Sequence, residues 1–203
     1  MDAPKLQVKL FSDNIDSSQL EKFIPVFHRW IRDHVLDELM IDVADYSHVH
    51  HGPGVVLVGH ASDYYLDLSD GQPGLLYSRK RQAPEPGERL RDAFRRALNA
   101  CRLLESDPTL NPRPKFRSNE ALIKLPDRLD FSNDDPSFDA LKREFETFLG
   151  QLYAGGKVKL TRVGSNKSPL SVRVVTENAP DLPTLLSRVG GPINVTASTS
   201  AAS

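Results

Sequence analysis

Residues 39–81 decide the fold, and they read LMIDVADYSHVHHGPGVVLVGHASDYYLDLSDGQPGLLYSRKR. Short runs of β-branched, aromatic and leucine residues recur in this segment, and Gly/Pro turns separate most of them. The runs predict strands at residues 39–43, 55–59, 64–68 and 75–78. Gly52-Pro53-Gly54 suits a type II turn, because proline fixes φ at the second turn position and glycine accepts positive φ at the third. Strands joined by such short turns form a mainly antiparallel sheet.

Strand and helix patterns continue on both sides of this segment. Residues 5–10 alternate lysine or glutamine with leucine or valine, which predicts a strand with one face toward water. Apolar residues at helical spacing predict a helix over 17–35 that is interrupted at Pro25, because the proline ring displaces the carbonyl of residue i−4. The other predicted elements are helices at 88–105, 137–153 and 182–189, and strands at 121–125, 158–163 and 170–176.

These elements predict an α+β fold with mainly antiparallel sheets and helices packed on them. We divide the chain into an N-terminal α+β half (1–106), a Pro-rich linker (107–118), a C-terminal α+β half (119–189) and a small, polar tail (190–203). The tail has too little apolar surface to bury, so we expect it to be disordered. Each half reads strand, helix, further strands and helix, and two ferredoxin-like β-α-β-β-α-β halves are one template for that order. A chance order within an α+β chain is the alternative.

Composition and charge limit the classes of function. The 203 residues carry a formal net charge of −1, with 39% hydrophobic and 26% charged residues, which is typical of a water-soluble globular protein. No strong positive field directs the chain toward nucleic acid or a membrane. The longest apolar runs, such as 55–58, are far too short to cross a bilayer. The single cysteine, Cys101, fits a reducing compartment, so we expect a soluble cytoplasmic protein.

Four of the six histidines lie between residues 48 and 60, close to Asp45 and Asp63. These are residue types that a zinc or iron site uses. If Pro53-Gly54 closes a two-residue hairpin, His48 and His50 share one face of the sheet and His60 lies on the other. Two imidazoles on one face are too few for a metal centre, so we predict histidines that are solvated or hydrogen-bonded, with no metal and no cofactor.

The same hairpin extended backwards places Asp42 and Tyr46 on the face of His48 and His50. A metal- or His/Asp-dependent enzyme centred on residues 42–63 is therefore an open alternative, and its catalytic residues are unknown. It would need three ligands, or a base and its orienting partner, within hydrogen-bond reach.

Charge is distributed in blocks along the chain. Residues 32–70 contain eight acidic residues and one arginine, whereas residues 79–102 contain eight basic residues and three acidic ones. Charge runs of this kind are usually solvated faces. The functional alternative is that the basic cluster at 79–102 binds a small anion, a nucleic-acid backbone or the acidic block of a neighbouring subunit.

No motif in the chain identifies a reaction. Residues 55–58 have no polar face, so we expect this strand to be central in its sheet and covered on both sides. We predict a non-catalytic cytoplasmic binding or protein-interaction module that self-associates through this strand and the Tyr/His face beside it. Its expected partner is a protein or a second copy, with a small anionic ligand as an alternative; we do not expect nucleic acid or a membrane. The candidate ligand-binding residues are Tyr46, His48, His50, His60, Tyr64, Arg79, Lys80 and Arg81.

Overall fold

The computed structural model describes residues 2–49, 52–69 and 72–192. Its strands are β1 (Gln7–Ser12), β2 (Met40–Tyr46), β3 (Gly54–Gly59), β4 (Ser62–Asp67), β5 (Gly74–Arg79), β6 (Phe116–Leu125), β7 (Val158–Val163) and β8 (Leu170–Thr176). Its α-helices are α1 (Ile24–Arg32), α2 (Arg89–Ser106), α3 (Asp135–Leu152) and α4 (Leu182–Arg188). Within this described part of the chain, no helix is both long enough and apolar enough to span a bilayer.

The strands form one antiparallel sheet in the order β2-β3-β4-β5-β1-β6-β8-β7. The predicted α+β class is confirmed. Ferredoxin-like halves are not confirmed, because that unit is a split βαβ arrangement with parallel strands, whereas every pairing between the described strands is antiparallel. β1 pairs with β6, so the sheet runs without interruption through both halves of the chain.

The helices lie on one face of the sheet. α1 packs against β2, α2 against β1 and β5, α3 against β7, and α4 against α2. Alternate strand residues point into this layer, and a row of them crosses the sheet through Leu57, Tyr64, Tyr77, Val8, Ile123 and Val172. The neighbouring row crosses the opposite face through Ala44, Val56, Tyr65, Leu76, Lys9, Leu122, Arg173 and Thr161. We call the surface that contains this second row the helix-free face.

Local sequence signals account for the helix boundaries. Asp16 accepts a hydrogen bond from the Ser18 amide and begins a 3₁₀ turn over Ser17–Phe23. α1 then starts with Pro25 in its first turn, where proline has no amide to satisfy, so the predicted interruption at Pro25 is confirmed.

β6 begins at residue 116, inside the segment predicted as a linker. Most of the predicted tail, residues 193–203, lies outside the described residues.

The prediction for the first strand was wrong. Its polar face was expected to meet water, yet Lys9 is fully buried. β1 is the fifth of eight strands, and Lys9 Nζ lies 2.7 Å from Asp67 Oδ2 on the same face, so the ammonium is paired rather than hydrated. β3, which was expected to be central, is next to the edge strand β2, although Val56 on its helix-free side is only 4% exposed.

Candidate functional site

The β2–β3 hairpin differs from its predicted register. Tyr46 pairs with Gly54 and Val43 with Leu57, so the connection spans seven residues and is not a two-residue turn at Pro53-Gly54. Strand pairing ends at Tyr46 because the backbone turns there: the Ser47 amide bonds to Asp45 Oδ1, and later amides bond back to Tyr46 and Val49 carbonyls. Asp42 and Tyr46 do lie on one face of β2, the helix-free face.

The predicted histidine group is therefore divided. His48 lies in the loop after β2, His60 follows β3 at the opposite end of the hairpin, and His50 lies outside the described residues. The six residues of β3 separate the first two by about 20 Å at roughly 3.3 Å per residue, so they cannot bind one ion together. In residues 2–49, 52–69 and 72–192, no three His, Cys, Asp or Glu side chains are placed to hold a metal.

Three of the predicted residues lie at a buried polar cluster around Glu38. The Glu38 carboxylate accepts hydrogen bonds of 2.7 Å from both Ser62 Oγ and Tyr64 OH. Arg79 lies 3.3 Å from the same carboxylate, and Arg96 of α2 lies 3.1 Å from it. A cavity of about 250 Å³ beside the cluster is lined in part by Arg79 and by the exposed His60.

Counter-charges are redundant in this Glu38 cluster. Asp92 Oδ2 lies 2.5 Å from Arg79 and 3.0 Å from Arg96, and Arg96 also contacts Asp37. Burial acts to lower the pKa of Arg96, but the Glu38 and Asp92 carboxylates outweigh it and raise that pKa. Every charge in the cluster therefore has an opposite charge beside it, which is the arrangement that a buried structural network requires.

Two tyrosines complete the cluster as neutral groups. Burial, followed by the Glu38 carboxylate, raises the pKa of Tyr64 and also that of Tyr77, whose ring centroid lies 5.2 Å from that of Tyr64. The Tyr77 hydroxyl is buried and has no hydrogen-bond partner. Because both phenols keep their protons at neutral pH, neither can serve there as a phenolate base. Tyr64 and Arg79 are thus positioned to hold β4, β5 and α2 together.

The acidic and basic blocks of the sequence neutralise each other within the chain. Besides the contacts of Glu38 and Asp37, Lys80 Nζ lies 2.7 Å from Asp63 Oδ1. Other α2 arginines bond to separate places, Arg91 to Gln151 and Arg95 to the Gly191 carbonyl. The next predicted residue, Arg81, is exposed. The basic residues do not converge on one concave surface, so the structure does not favour the nucleic-acid alternative.

Exposed apolar side chains concentrate along β2, which is an edge strand. Of the six large exposed hydrophobic residues in the described part of the chain, four belong to β2 or its flanks: Leu39 (64% exposed), Ile41 (57%), Tyr46 (44%) and Val49 (44%). We call these four the β2 strip. A β-bulge between Met40 and Asp42 accounts for the outward position of Ile41.

A second candidate site, which sequence reasoning missed, lies on the helix-free face. A cavity of about 440 Å³ is bounded by β1, β6, β8 and the β7–β8 turn. Its lining residues include Phe11, Leu122 and Arg173. The strand pairings that bring these three together join positions more than 50 residues apart, and no local pattern reports them. The sequence contained one signal: because Leu122 is apolar, neither face of the predicted strand at 121–125 is consistently polar.

Three places in the molecule are candidate sites: the Glu38 cluster, the β2 strip and the cavity on the helix-free face. In the Glu38 cluster every charge has an opposite charge beside it, whereas the β2 strip and the cavity expose surface that no described residue covers. Comparison of the chain with protein-family models, with curated proteins and with solved structures found no match to any of them.

Proposed function

We propose that this protein is a non-catalytic cytoplasmic interaction module that self-associates through the β2 strip. The observation that carries the proposal is the clustering of four exposed apolar side chains within eleven residues at the edge of the sheet. Monomeric proteins rarely keep contiguous apolar patches exposed, and such patches at a surface are commonly interaction sites. The strip therefore gains a favourable free energy when a partner covers it.

The proposed contact surface lies on β2 and not on β3, the strand that the sequence favoured. β3 is paired with β2 on one side and β4 on the other, so its backbone is not available to a partner. Among the strands of the described residues, β2 pairs on one side only, with β3. Tyr46 is the one predicted binding residue that belongs to this surface, and His48 lies in the loop beside it.

The spacing of the strip favours a second copy as the partner. Leu39 and Ile41 lie before Val43, the middle residue of β2, and Tyr46 and Val49 lie after it, so apolar side chains flank both sides of the centre of the strand. A two-fold axis beside Val43 would place Ile41 of one copy near Tyr46 of the other. Self-complementary surfaces of this kind generate closed two-fold dimers.

Side chains, and not continued strand pairing, supply the expected contact. The Val43 amide donates a 2.8 Å hydrogen bond to Asp42 Oδ1, so this backbone donor of the edge strand already has an acceptor in its own chain. Such capping protects an edge strand from forming an extended sheet with other chains.

Size-exclusion chromatography with light scattering tests the proposal. The wild-type chain should show a species of twice the 22.6 kDa monomer mass at high concentration. Ile41→Glu should shift it to the monomer, because it adds a charge to the apolar strip. Leu129→Glu is the matched control: Leu129 is 96% exposed and lies outside the strip, so this variant should dimerise like the wild type.

Circular dichroism of both variants establishes that they fold. A wild-type chain that stays at 22.6 kDa at every concentration would refute self-association. Equal effects of Ile41→Glu and Leu129→Glu would refute the β2 strip as the contact.

A further inference from the structure

The cavity on the helix-free face has the size and walls of a small-molecule site. Its volume of about 440 Å³ lies within the range of roughly 300–1,000 Å³ that is usual for ligand pockets. Phe11, Leu122, Val163 and Pro169 supply its apolar walls. Phe11 and Leu122 are themselves only 4% and 5% exposed, so the floor of the cavity is a packed surface and not a mobile rim.

The charged groups at the cavity are basic. Lys124 and Arg173 line it, and no acidic side chain is among the described lining residues. Arg173 is held in place by Glu120, whose Oε1 accepts from Nε at 2.5 Å and also contacts Nη2, and its guanidinium carbon lies 5.7 Å from the centre of the Phe11 ring. A guanidinium has five N–H groups, so those of Nη1 remain for a ligand anion.

A buried acceptor at the same cavity lacks a donor. Gln72 lines the cavity, and its Oε1 is buried without a hydrogen-bond partner. Buried polar atoms in folded proteins are almost always hydrogen-bonded, and an unpaired one at a pocket wall is satisfied when a ligand brings an N–H or O–H.

We propose that this cavity binds a small amphipathic monoanion: an apolar or aromatic body that contacts Phe11 and Leu122, an O–H or N–H that donates to Gln72 Oε1, and a carboxylate that pairs with Arg173. Nη1 of Arg173 can donate a charge-assisted hydrogen bond to that carboxylate while Nε and Nη2 stay on Glu120. The site is independent of the proposed self-association, because it lies on β1, β6 and β8 whereas the dimer contact lies on β2.

A matched pair of probes tests the charge requirement. The full-length chain is titrated with 4-(4-hydroxyphenyl)butanoate and with its neutral analogue 4-(4-hydroxyphenyl)butanamide, both of which carry a phenol O–H for Gln72, and binding is followed by ¹H–¹⁵N NMR. The acid should bind at least about tenfold more tightly than the amide, because only the acid forms the charge-assisted contact. The chemical-shift changes should centre on Phe11, Leu122 and Arg173.

Three variants locate the site. Arg173→Gln should remove most of the preference for the acid while leaving amide binding unchanged; Glu120 keeps its contact with Arg117 at 2.9 Å, so its charge stays paired. Ser171→Phe, which fills the cavity from a buried lining position, should abolish binding of both probes. The control Arg128→Gln makes the same change at an exposed loop position and should bind like the wild type.

Several results would overturn the inference. These are equal affinities for acid and amide, shift changes that lie elsewhere on the protein, equal behaviour of Arg173→Gln and Arg128→Gln, or no binding up to the solubility limit of the acid. None of them bears on the mass measured for the dimer, so failure of one proposal is distinguishable from failure of the other.

Discussion

The two faces of the sheet bury charge in different ways. On the helix side, the Glu38 cluster combines three carboxylates with two arginines, and each charge contacts at least one of the opposite sign. On the helix-free face, Lys9 is completely buried and its carboxylate partner is Asp67, at 2.7 Å. Asp67 in turn accepts hydrogen bonds from the amide and hydroxyl of Ser69.

The two faces should therefore differ in how much stability they lose when one charged side chain is removed. In the Glu38 cluster, a lost carboxylate leaves the arginines with other acidic partners, so the remaining charges stay compensated. In the Lys9–Asp67 pair, the fully buried ammonium also donates to the Ser69 carbonyl at 3.1 Å, while Asp67 places an opposite charge 2.7 Å away, and a buried ion that loses such a charge is destabilised. The buried pair also shows that the centre of the helix-free face is shielded from solvent, although no helix covers it.

The largest effect is expected from Asp67→Ala. It removes the carboxylate beside a lysine that is 0% exposed, and breaking a buried pair on one side destabilises by about 3–5 kcal/mol. Urea unfolding followed by circular dichroism measures the loss. The exposed Asp130 provides a matched control, since Asp130→Ala should change the free energy of unfolding by less than about 0.5 kcal/mol.

A double variant separates the lost pairing from lost packing. Lys9→Met combined with Asp67→Leu replaces both charges by apolar groups and should recover most of the stability, because a buried ion pair and its hydrophobic replacement are often equivalent. If Asp67→Ala behaves like Asp130→Ala, the comparison between the two faces fails.

A smaller effect is expected from Glu38→Gln. The amide keeps an acceptor for Ser62 or Tyr64 but removes the charge, while Asp92 and Asp37 still compensate the two arginines. We expect a loss of about 2 kcal/mol, in the range of hydrogen bonds to charged groups. Unfolding in urea is again the measurement, with Glu177→Gln at an exposed position as control. A loss larger than that of Asp67→Ala would show that redundancy does not protect the cluster.

Local chemistry made much of the fold predictable. β7 and β8 begin and end at the predicted residues, because turn residues flank clear strand patterns in both cases. The start of α1 at Pro25 was predictable because a proline ring inside a helix clashes with the carbonyl of residue i−4. The register of the β2–β3 hairpin was wrong because the Gly52-Pro53-Gly54 signal was preferred over Asp45, whose side chain turns the chain earlier.

The candidate sites were less predictable, because they depend on contacts distant in sequence. Lys9 meets Asp67 across 58 positions, and nothing in residues 5–10 signals that this alternating strand is central. The charge blocks were recognised, but only the structure shows that Glu38 and Arg96 neutralise each other inside one chain. The exposure of Ile41 required knowing that β2 is an edge strand with a bulge.

The smallest expected effect is a difference in alkaline titration between the two faces. Burial, with Asp63 next, raises the pKa of Tyr65 on the helix-free face to about 12, whereas burial and Glu38 raise that of Tyr64 on the helix side well above its ordinary value. A phenol whose pKa is raised by folding contributes stability that is complete below the unfolded pKa of about 10 and is lost as the pH rises through the folded value.

Stability should therefore decrease between about pH 10 and pH 12, and Tyr65 should ionise before Tyr64. Tyrosinate absorbance and circular dichroism, recorded together during the titration, separate ionisation from unfolding. An early tyrosinate signal should precede the loss of secondary structure, and Tyr65→Phe should reduce it while Tyr64→Phe should not. If all of the tyrosinate absorbance rises in a single step together with unfolding, Tyr65 does not ionise before Tyr64. The two faces would then shield their phenols equally, although they bury charge in different ways.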